Sequence, residues 1–248
     1  MNRLKIWIRI ICHFLGAFTC SRRAHLMDPK ETTEEILKSG KSLIRLGDGE
    51  LNILRGRGIH YQDADPQLQE EFRQLVSQYL EEGNTCNYLL CMPNPFLRCS
   101  GWKLARKRVW VSCWSDFRYV FKKHFDRDIS YGDAFSFAEG NLSISEKMWQ
   151  NKDEIIFVHN NLKCAENFQE KYCKKVHYIQ VPGNNCYSEI DHIIDKIKSK
   201  ISDSQNPGQL AVLLSAGPCA KVIIYRLLDC GVQMIDTGHC WDEPLTKI

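Results

Sequence analysis

Two carboxylates, Asp48 and Glu50, lie one residue apart in the segment GDGE, which follows the short apolar run SLIRL at residues 42–46. Gly47 and Gly49 beside them allow unusual backbone conformations and the close approach of a ligand. Paired carboxylates are ligands that Mg²⁺ and Mn²⁺ prefer, so the spacing suits a divalent-cation site. The same residues also suit an ordinary helix start, with Asp48 as the N-cap and Glu50 favoured by the helix dipole. Spacing alone leaves both interpretations open.

Three further loops with small or polar residues follow predicted strands. The segment PGNN contains Asn185, whose amide suits recognition of a base or ribose but is equally typical of a plain turn. In SAGPCAK, Gly217 and Pro218 join a strand to a helix whose N-terminus can hold a phosphate, although neither the dinucleotide fingerprint nor the P-loop is present. In DTGHCWDE, Asp236 and His239 suit metal binding or proton transfer, or simply a hydrogen-bonded surface turn.

The elements that must position these loops alternate between strands and helices. Strand patterns occur at residues 42–46, 88–92, 134–138, 154–159, 176–181, 209–214 and 232–235. Helical periodicity or helix-start signals occur at residues 29–37, 50–54, 66–80, 102–125, 143–150, 188–201 and 221–228. This alternation predicts the α/β class, as a Rossmann-like and mostly parallel sheet flanked by helices. Because such sheets bind ligands beyond the carboxyl ends of their strands, we expect the four loops to converge there.

The composition is that of a globular protein with one large domain. The chain has 248 residues and a net charge of only +3, and it contains no nucleic-acid-binding motif, so we expect no nucleic-acid partner. Twelve cysteines are scattered without a CxxC pair, which argues against a zinc ribbon or a thioredoxin-like site. We expect most of them to be buried small hydrophobic residues in a cytosolic protein. Cys219 and Cys240 lie near the predicted loops, but no activating context for a cysteine nucleophile is visible.

Residues 1–27 form a distinct N-terminal segment that predicts an amphipathic helix. Lys5, Arg9 and His13 follow i, i+4 spacing as a polar stripe on an otherwise apolar helix. The segment is too short and too interrupted to span a membrane. It suits a helix lying in an anionic membrane interface through residues 3–18, but also a helix packed on the protein's own core or on a partner chain.

Two long segments resemble the two ends of the GT-D type of bacterial glycosyltransferase domain, a DxE-containing family formerly of unknown function. They are SLIRLGDGELNILRGRGIHYQ and VLLSAGPCAKVIIYRLLDCGVQMIDTGHCWDE. The resemblance extends from about residue 34 to residue 243, and it implies that residues 28–248 form a glycosyltransferase domain of GT-D fold. Two features depart from the family pattern. These are the loop NNLKCAENF after residue 159, and Trp241, where an acidic residue is expected.

The resemblance assigns roles residue by residue. The DxE motif falls on Asp48 and Glu50 and implies a Mn²⁺ or Mg²⁺ ion bound with a nucleotide-sugar donor, beside which His239 is expected to help hold the metal. Arg45, Gln62, Gly217, Pro218 and Asp236 match further family positions. Together with Gly47, Gly49 and Asn185 from the loop analysis, they form the expected donor-binding set. Glu243, four residues after His239, resembles the catalytic carboxylate.

The implied activity is metal-dependent transfer of a hexose from a nucleotide-diphosphate sugar, expected to be UDP-linked, to a glycan or lipid-linked saccharide in polysaccharide biosynthesis. Asp48 and Glu50 would act in catalysis by holding the cation that neutralises the leaving diphosphate. Glu243 would deprotonate the acceptor hydroxyl in an inverting reaction. The expected location is cytoplasmic, at the inner membrane face. A non-catalytic nucleotide-sugar-binding module and a metal-dependent phosphohydrolase stay open as alternatives.

Overall fold

The computed structural model describes residues 3–242. In this part of the chain the strands are β1 (His25–Leu26), β2 (Ser42–Arg45), β3 (Tyr88–Met92), β4 (Ser130–Asp133), β5 (Glu154–His159), β6 (Lys175–Gln180), β7 (Leu210–Leu214) and β8 (Gln233–Asp236). They form one eight-stranded sheet, in the order β1-β4-β3-β2-β8-β7-β5-β6, and every pairing is parallel.

The helices that connect and flank the strands are α1 (Arg3–Gly16), α2 (Pro29–Ser39), α3 (Asp48–Leu54), α4 (Pro66–Glu82), α5 (Asn94–Arg98), α6 (Gly101–Leu104), α7 (Arg108–Val120), α8 (Leu142–Ser145), α9 (Lys147–Gln150), α10 (Leu162–Tyr172), α11 (Ile190–Asp203) and α12 (Pro218–Arg226). Capping residues and prolines in the sequence determine where several of these helices begin. Asp28 and Glu31 form a capping box around Pro29 at α2, and Asp65 caps α4 before Pro66.

Residues on the two faces of the sheet pack in two separate hydrophobic clusters. In β2, Ile44 packs in the cluster with α3, α4, α11 and α12, whereas its neighbour Leu43 packs in the cluster with α2, α9 and α10. Successive strand residues point to opposite faces. The near-continuous apolar runs therefore bury both faces of the sheet, as is typical of a parallel sheet between two helical layers.

The predicted α/β fold class with a mostly parallel sheet is confirmed. The strand predicted at residues 134–138 is wrong, because β4 ends at Asp133 and the following residues form turns. Phe135 and Ala138 of that turn pack in a third cluster with Phe96 and Leu104, which explains their apolar character without a strand. The sequence pattern also missed α10 and the two-residue β1, which joins the sheet edge through β4.

Helix α1 packs against α7, with Ile10 buried and His13, from the polar stripe, at the contact. The His13 Nδ1 atom lies 2.5 Å from an Asp116 carboxylate oxygen, and the His13 ring stacks on Tyr119 at 4.2 Å between centroids. Buried Arg118 donates hydrogen bonds to the carbonyls of Ala17 and Phe18 just after the helix. The helix therefore packs on the protein's own body, as one interpretation of the sequence expected.

The opposite side of α1 is apolar and faces outward. Four aliphatic side chains there are exposed: Leu4 by 64%, Ile8 by 52%, Ile11 by 51% and Leu15 by 64%. Their spacing of four, three and four residues places them along one face of the helix. Across the described residues, no helix has the length and apolar character needed to cross a membrane.

Asp133, the last residue of β4, gives a pH-dependent stability prediction. Burial raises the pKa of its carboxyl to about 7, although the carboxylate accepts the Phe135 N–H at 2.8 Å. The folded chain therefore keeps a proton that the unfolded chain loses near pH 4, so Asp133 makes stability fall as pH rises from 4 to 7. As the pH rises from 5 to 8, the free energy of unfolding of Asp133→Asn should increase by roughly 2 kcal/mol relative to that of the wild type. Urea denaturation at both pH values measures this, and a constant difference between the two proteins would contradict it.

Candidate active site

The loops beyond the carboxyl ends of the strands line one cleft with two compartments. The larger compartment, of about 460 Å³, is lined by residues that include Asp48, Glu50, Trp114, Phe135 and Lys221. The smaller compartment, of about 150 Å³, is lined by residues that include Gln62, His159, Asn160, Gly183, Ser215 and Asp242. Both share Tyr61, Gly217, Gly238 and His239, so the compartments adjoin at this point.

The DxE turn starts α3, but with a cap different from the expected one. The N-cap is Gly47, not Asp48, and the Glu50 carboxylate accepts the Gly47 N–H at 2.7 Å. Asp48 is the first residue of the helix, and its exposed side chain lines the larger compartment. The turn therefore both begins a helix and presents a carboxylate to the cleft.

A buried lysine lies behind this turn and binds two carboxylates. The Lys221 Nζ atom lies 3.2 Å from Glu50 Oε1 and 3.0 Å from Asp236 Oδ2, and it also donates to the Gly217 carbonyl at 3.0 Å. Burial alone would lower the pKa of Lys221, but Asp236 and Glu50 raise it above the ordinary value. Burial likewise opposes ionisation of Asp236, but Lys221 and Arg45 hold its pKa below the usual range. The pairing therefore favours the charged forms of Lys221 and Asp236.

Arg45 extends the same network to the other side of the cleft floor. Its backbone N–H donates to Asp236 at 3.2 Å, and its guanidinium donates to the Ala134 carbonyl at 2.9 Å. Gly238 has φ +57°, and a Cβ there would lie 1.5 Å from Nη2 of Arg45. A glycine at position 238 is therefore required twice, by its backbone conformation and by the contact with Arg45.

The carboxylates of the turn fit a hard divalent cation. The pKa of Asp48 is raised, first by removal of water around the turn and then by the negative charge of Glu50. A cation bound at the turn would relieve the repulsion that Asp48 experiences from the charge of Glu50. The Asp48 carboxylate forms no ion pair with a cationic side chain in residues 3–242, whereas Glu50 is held by Gly47 and Lys221. Asp48 therefore suits the role of a direct metal ligand, whereas the position of the Glu50 carboxylate is fixed by its contacts with the protein.

The predicted metal set of Asp48, Glu50 and His239 is not preassembled. His239 is exposed at the junction of the compartments, and its ring meets the Tyr61 ring edge-on at 6.1 Å. Within residues 3–242, the one trio of candidate ligand atoms within 4.8 Å of one another belongs to His159, Cys164 and Asp242.

That trio is organised by hydrogen bonds. His159 Nδ1 accepts the Asn161 N–H at 2.9 Å, so the proton of the neutral ring lies on Nε2, which is 3.0 Å from Asp242. Burial lowers the pKa of His159 and favours this neutral form. The Cys164 thiol donates to Asp242 at 3.1 Å, and burial and Asp242 raise its pKa to about 12. The cluster therefore fixes the Asp242 carboxylate and offers no reactive thiolate.

Two residues of the expected donor-binding set hold a loop of the cleft. Asn185 has φ +50°, and its amide bonds the Asp63 backbone at 2.7 Å and the Asp63 carboxylate at 2.8 Å. Gln62 is buried and accepts the Tyr187 N–H at 3.3 Å. Their contacts fix the segment that presents Tyr61 to both compartments, and Asn185 itself is not among the residues lining them.

The start of α12 and the last loop complete the cleft. Gly217 has φ +55° and would place a Cβ 2.8 Å from the Tyr61 ring, and Pro218 is the first residue of α12. Trp241, which departs from the family pattern, packs against Trp149, Phe157 and Phe168 rather than lining the cleft. Glu243 lies outside the described residues.

Sequence reasoning missed several residues of the cleft. Lys221 stood inside an apolar helix pattern, and Trp114 inside an aromatic, basic segment with no motif. A charged residue within the buried segment AKVIIY was the one usable signal, because a lysine is seldom buried without a partner. His159 ended a predicted strand at the edge where ligands bind, which also marked it.

The cleft, its carboxylate turn and the parallel sheet define a class of enzyme. The family model described as "Glycosyltransferase GT-D fold" matches residues 43–243, and the chain belongs to this glycosyltransferase family. The match spans β2 to the last loop and so includes the whole cleft.

Two curated relatives carry glycosyltransferase names. The chain is 27% identical over 230 residues to "Glycosyltransferase GlyD" of Streptococcus pneumoniae, covering 86% of this chain and 26% of the relative. It is 23% identical over 238 residues to "Probable glycosyl transferase Gly" of Streptococcus gordonii, covering 90% of this chain and 33% of that one. The chain therefore corresponds to a third or less of the length of these relatives.

Solved structures share the fold. A structure described as a new glycosyltransferase from Streptococcus sanguinis has a TM-score of 0.71 and 23% identity, with 89% of this chain and 83% of that chain covered. Another, described as domain of unknown function 1792 with a distinct glycosyltransferase fold, also has a TM-score of 0.71, with 20% identity and coverage of 94% and 83%. At these identities the likeness establishes the GT-D fold.

The Lys221 network gives a stability prediction. Lys221→Met should lower the free energy of unfolding by roughly 3–5 kcal/mol, because it leaves Glu50 buried without its cation and Asp236 with Arg45 alone. Adding Asp236→Asn should recover part of the loss. Guanidinium denaturation measures both, with Lys198→Met on exposed α11 as the matched control. Equal unfolding midpoints for the Lys221 and Lys198 variants would show that the network does not stabilise the fold.

Proposed function

We propose that this chain is a metal-dependent glycosyltransferase that moves a hexose from a nucleotide-diphosphate sugar, UDP-linked in our proposal, to a saccharide acceptor. One observation carries the proposal. The Asp48 carboxylate faces the cleft from the first turn of α3, while the N-terminus of α12 approaches the same cleft at Gly217. A negatively charged diphosphate between them would meet a cation on one side and a helix N-terminus on the other.

Asp48 and Glu50 would hold the divalent cation, Mn²⁺ or Mg²⁺, and His239, which lines the same compartment, would join them when the ion binds. When bound, such a cation neutralises the negative charge that develops on the leaving diphosphate. Glu50 is kept in place by Gly47 and Lys221, so the turn holds Asp48 towards the cleft with little reorganisation. Because the pKa of Asp48 is raised, the proton that must leave before metal binding makes activity fall towards acidic pH.

The nucleoside would occupy the smaller compartment, and the acceptor the larger one. The smaller compartment offers hydrogen-bonding groups on Asn160, Ser215 and the fixed carboxylate of Asp242. The larger one adds the apolar surfaces of Trp114 and Phe135 beside Asp48, which suit the faces of sugar rings. Arg45, Gly217, Pro218 and Asp236 would shape the junction where the diphosphate lies.

A lipid-linked acceptor and peripheral contact with the cytoplasmic membrane face complete the proposal. The exposed row of Leu4, Ile8, Ile11 and Leu15 on α1 supports an interfacial helix that packs on the protein through Ile10 and His13 and whose aliphatic row enters the bilayer surface. Helix α7, on which α1 packs, also supplies Trp114 to the larger compartment. An acceptor anchored in the membrane would thus be close to that compartment.

Metal dependence is tested through the DxE turn. Asp48→Asn and Glu50→Gln should each reduce acceptor-dependent transfer at least 100-fold, because the near-isosteric amides are poor cation ligands. The donor is first chosen by screening nucleotide-sugars with Mn²⁺ for thermal stabilisation. Transfer is then measured across a Mn²⁺ titration and in chelator, with Asp195→Asn on exposed α11 as the control.

Full transfer in chelator, or in both turn variants, would refute the metal role. Donor cleavage that needs no acceptor would instead indicate a phosphohydrolase. Donor binding without any turnover would indicate a binding module. These outcomes separate the three classes that the sequence left open.

The acceptor base is tested by a pair of neighbouring carboxylates. We expect Glu243→Gln to lower the rate of transfer by roughly 10²–10⁴-fold while donor affinity changes little, because a general base acts on the acceptor. Asp242→Asn, which alters the smaller compartment and its contact with His159, should weaken donor binding instead. Calorimetry and turnover on both variants decide between them, and the reverse pattern would make Asp242 the base.

A further inference from the structure

Two segments without acidic residues come together on one side of the molecule. Residues 3–27 and 94–115 contain ten of the chain's 33 Lys and Arg residues and none of its 30 Asp and Glu residues, although the whole chain carries only +3. The Gly101 N–H donates to the Phe18 carbonyl at 2.9 Å, and the Arg108 guanidinium lies over the Trp7 ring at 4.6 Å. Folding therefore brings basic residues of both segments together beside α1.

The segment at residues 102–109, WKLARKRV, is the exposed part of this surface. Its four basic side chains, Lys103, Arg106, Lys107 and Arg108, are all exposed, and none forms an ion pair within residues 3–242. Trp102 is 77% exposed and Val109 60% exposed. The Trp102 ring meets Phe18 edge-on at 5.1 Å, which fixes the segment next to the end of α1.

We propose that residues 102–109 form, together with the exposed row of α1, a docking surface for an anionic lipid bilayer. The four basic side chains bind phosphate or carboxylate headgroups, while Trp102 and the aliphatic row enter the interfacial layer. This inference rests on the proposed membrane contact of α1. It extends that contact to a second, basic segment that is far away in sequence.

The mixed chemistry of the surface favours a bilayer over other anionic partners. A nucleic acid or an acidic protein would satisfy the basic side chains but would leave the adjacent aliphatic row in water. A bilayer surface accepts both kinds of group at once, because headgroups and acyl chains lie within a few ångströms of each other. Neither segment contains an acidic side chain, and the neighbouring Asp116 and Glu31 are paired with Arg55 and Arg98, which limits the repulsion that anionic lipid would meet.

The experiment measures partitioning of the full chain onto vesicles of phosphatidylcholine with 0% or about 30% phosphatidylserine, close to the anionic content of a cytoplasmic leaflet. The test variant carries Lys103→Gln, Arg106→Gln and Lys107→Gln, and it keeps Arg108 because that residue packs on Trp7. The matched control carries Lys163→Gln, Lys196→Gln and Lys198→Gln, three exposed lysines on α10 and α11. A third variant carries Ile8→Ser and Ile11→Ser in the aliphatic row.

We expect the test variant to lose about 100-fold in partitioning onto anionic vesicles, from roughly fivefold for each basic residue. It should also lose most of the salt dependence, while the control variant behaves as the wild type. The Ile8/Ile11 variant should bind more weakly to both vesicle types. Equal binding of the test and control variants, with loss only in the Ile8/Ile11 variant, would overturn the role of residues 102–109 and leave the contact of α1 intact. Failure of the wild type to bind either vesicle would refute both.

Discussion

The buried ion cluster around Lys221 connects the parts of the molecule that form the cleft. Its ammonium group bridges Glu50 on the turn after β2 and Asp236 at the end of β8, and it also binds the carbonyl of Gly217 at the start of α12. Three loops are thereby held at one point. Because each partner would be an uncompensated charge without the others, the geometry of the turn depends on the complete cluster.

Because of this arrangement, the two carboxylates of the DxE turn have different roles. Glu50 is buried, and its two carboxylate oxygens contact the Gly47 N–H and the Lys221 ammonium group. Asp48 is left facing the cleft with a raised pKa. Asp48 is therefore available to a ligand in the cleft, whereas Glu50 fixes the backbone conformation of the turn that carries Asp48.

The fold and the location of the site were largely predictable from sequence, whereas the contacts inside the site were not. Apolar strand runs and the Asp-Pro starts of α2 and α4 are local signals, and they predicted most elements correctly. Lys221 and Asp236 are 15 residues apart, but their common partner Glu50 lies far away in sequence, so no spacing rule connects the three. Helix α1 shows the same limit: its amphipathic pattern was evident, but the contact of His13 with Asp116 of α7 joins residues 103 positions apart and has no sequence signal.

The central pairing of β2 with β8 has a consequence for how the chain reaches its native state. The Arg45 backbone bonds to Asp236 across 191 residues of sequence, and β8 is inserted between β2 and β7 rather than added at an edge. Before β8 is in place, β2 and β7 each have an open side whose backbone groups lack partners. Non-local closure of this kind is slow. The two halves of the sheet are therefore joined only when β8 is inserted, and until then the open sides of β2 and β7 can pair with other chains.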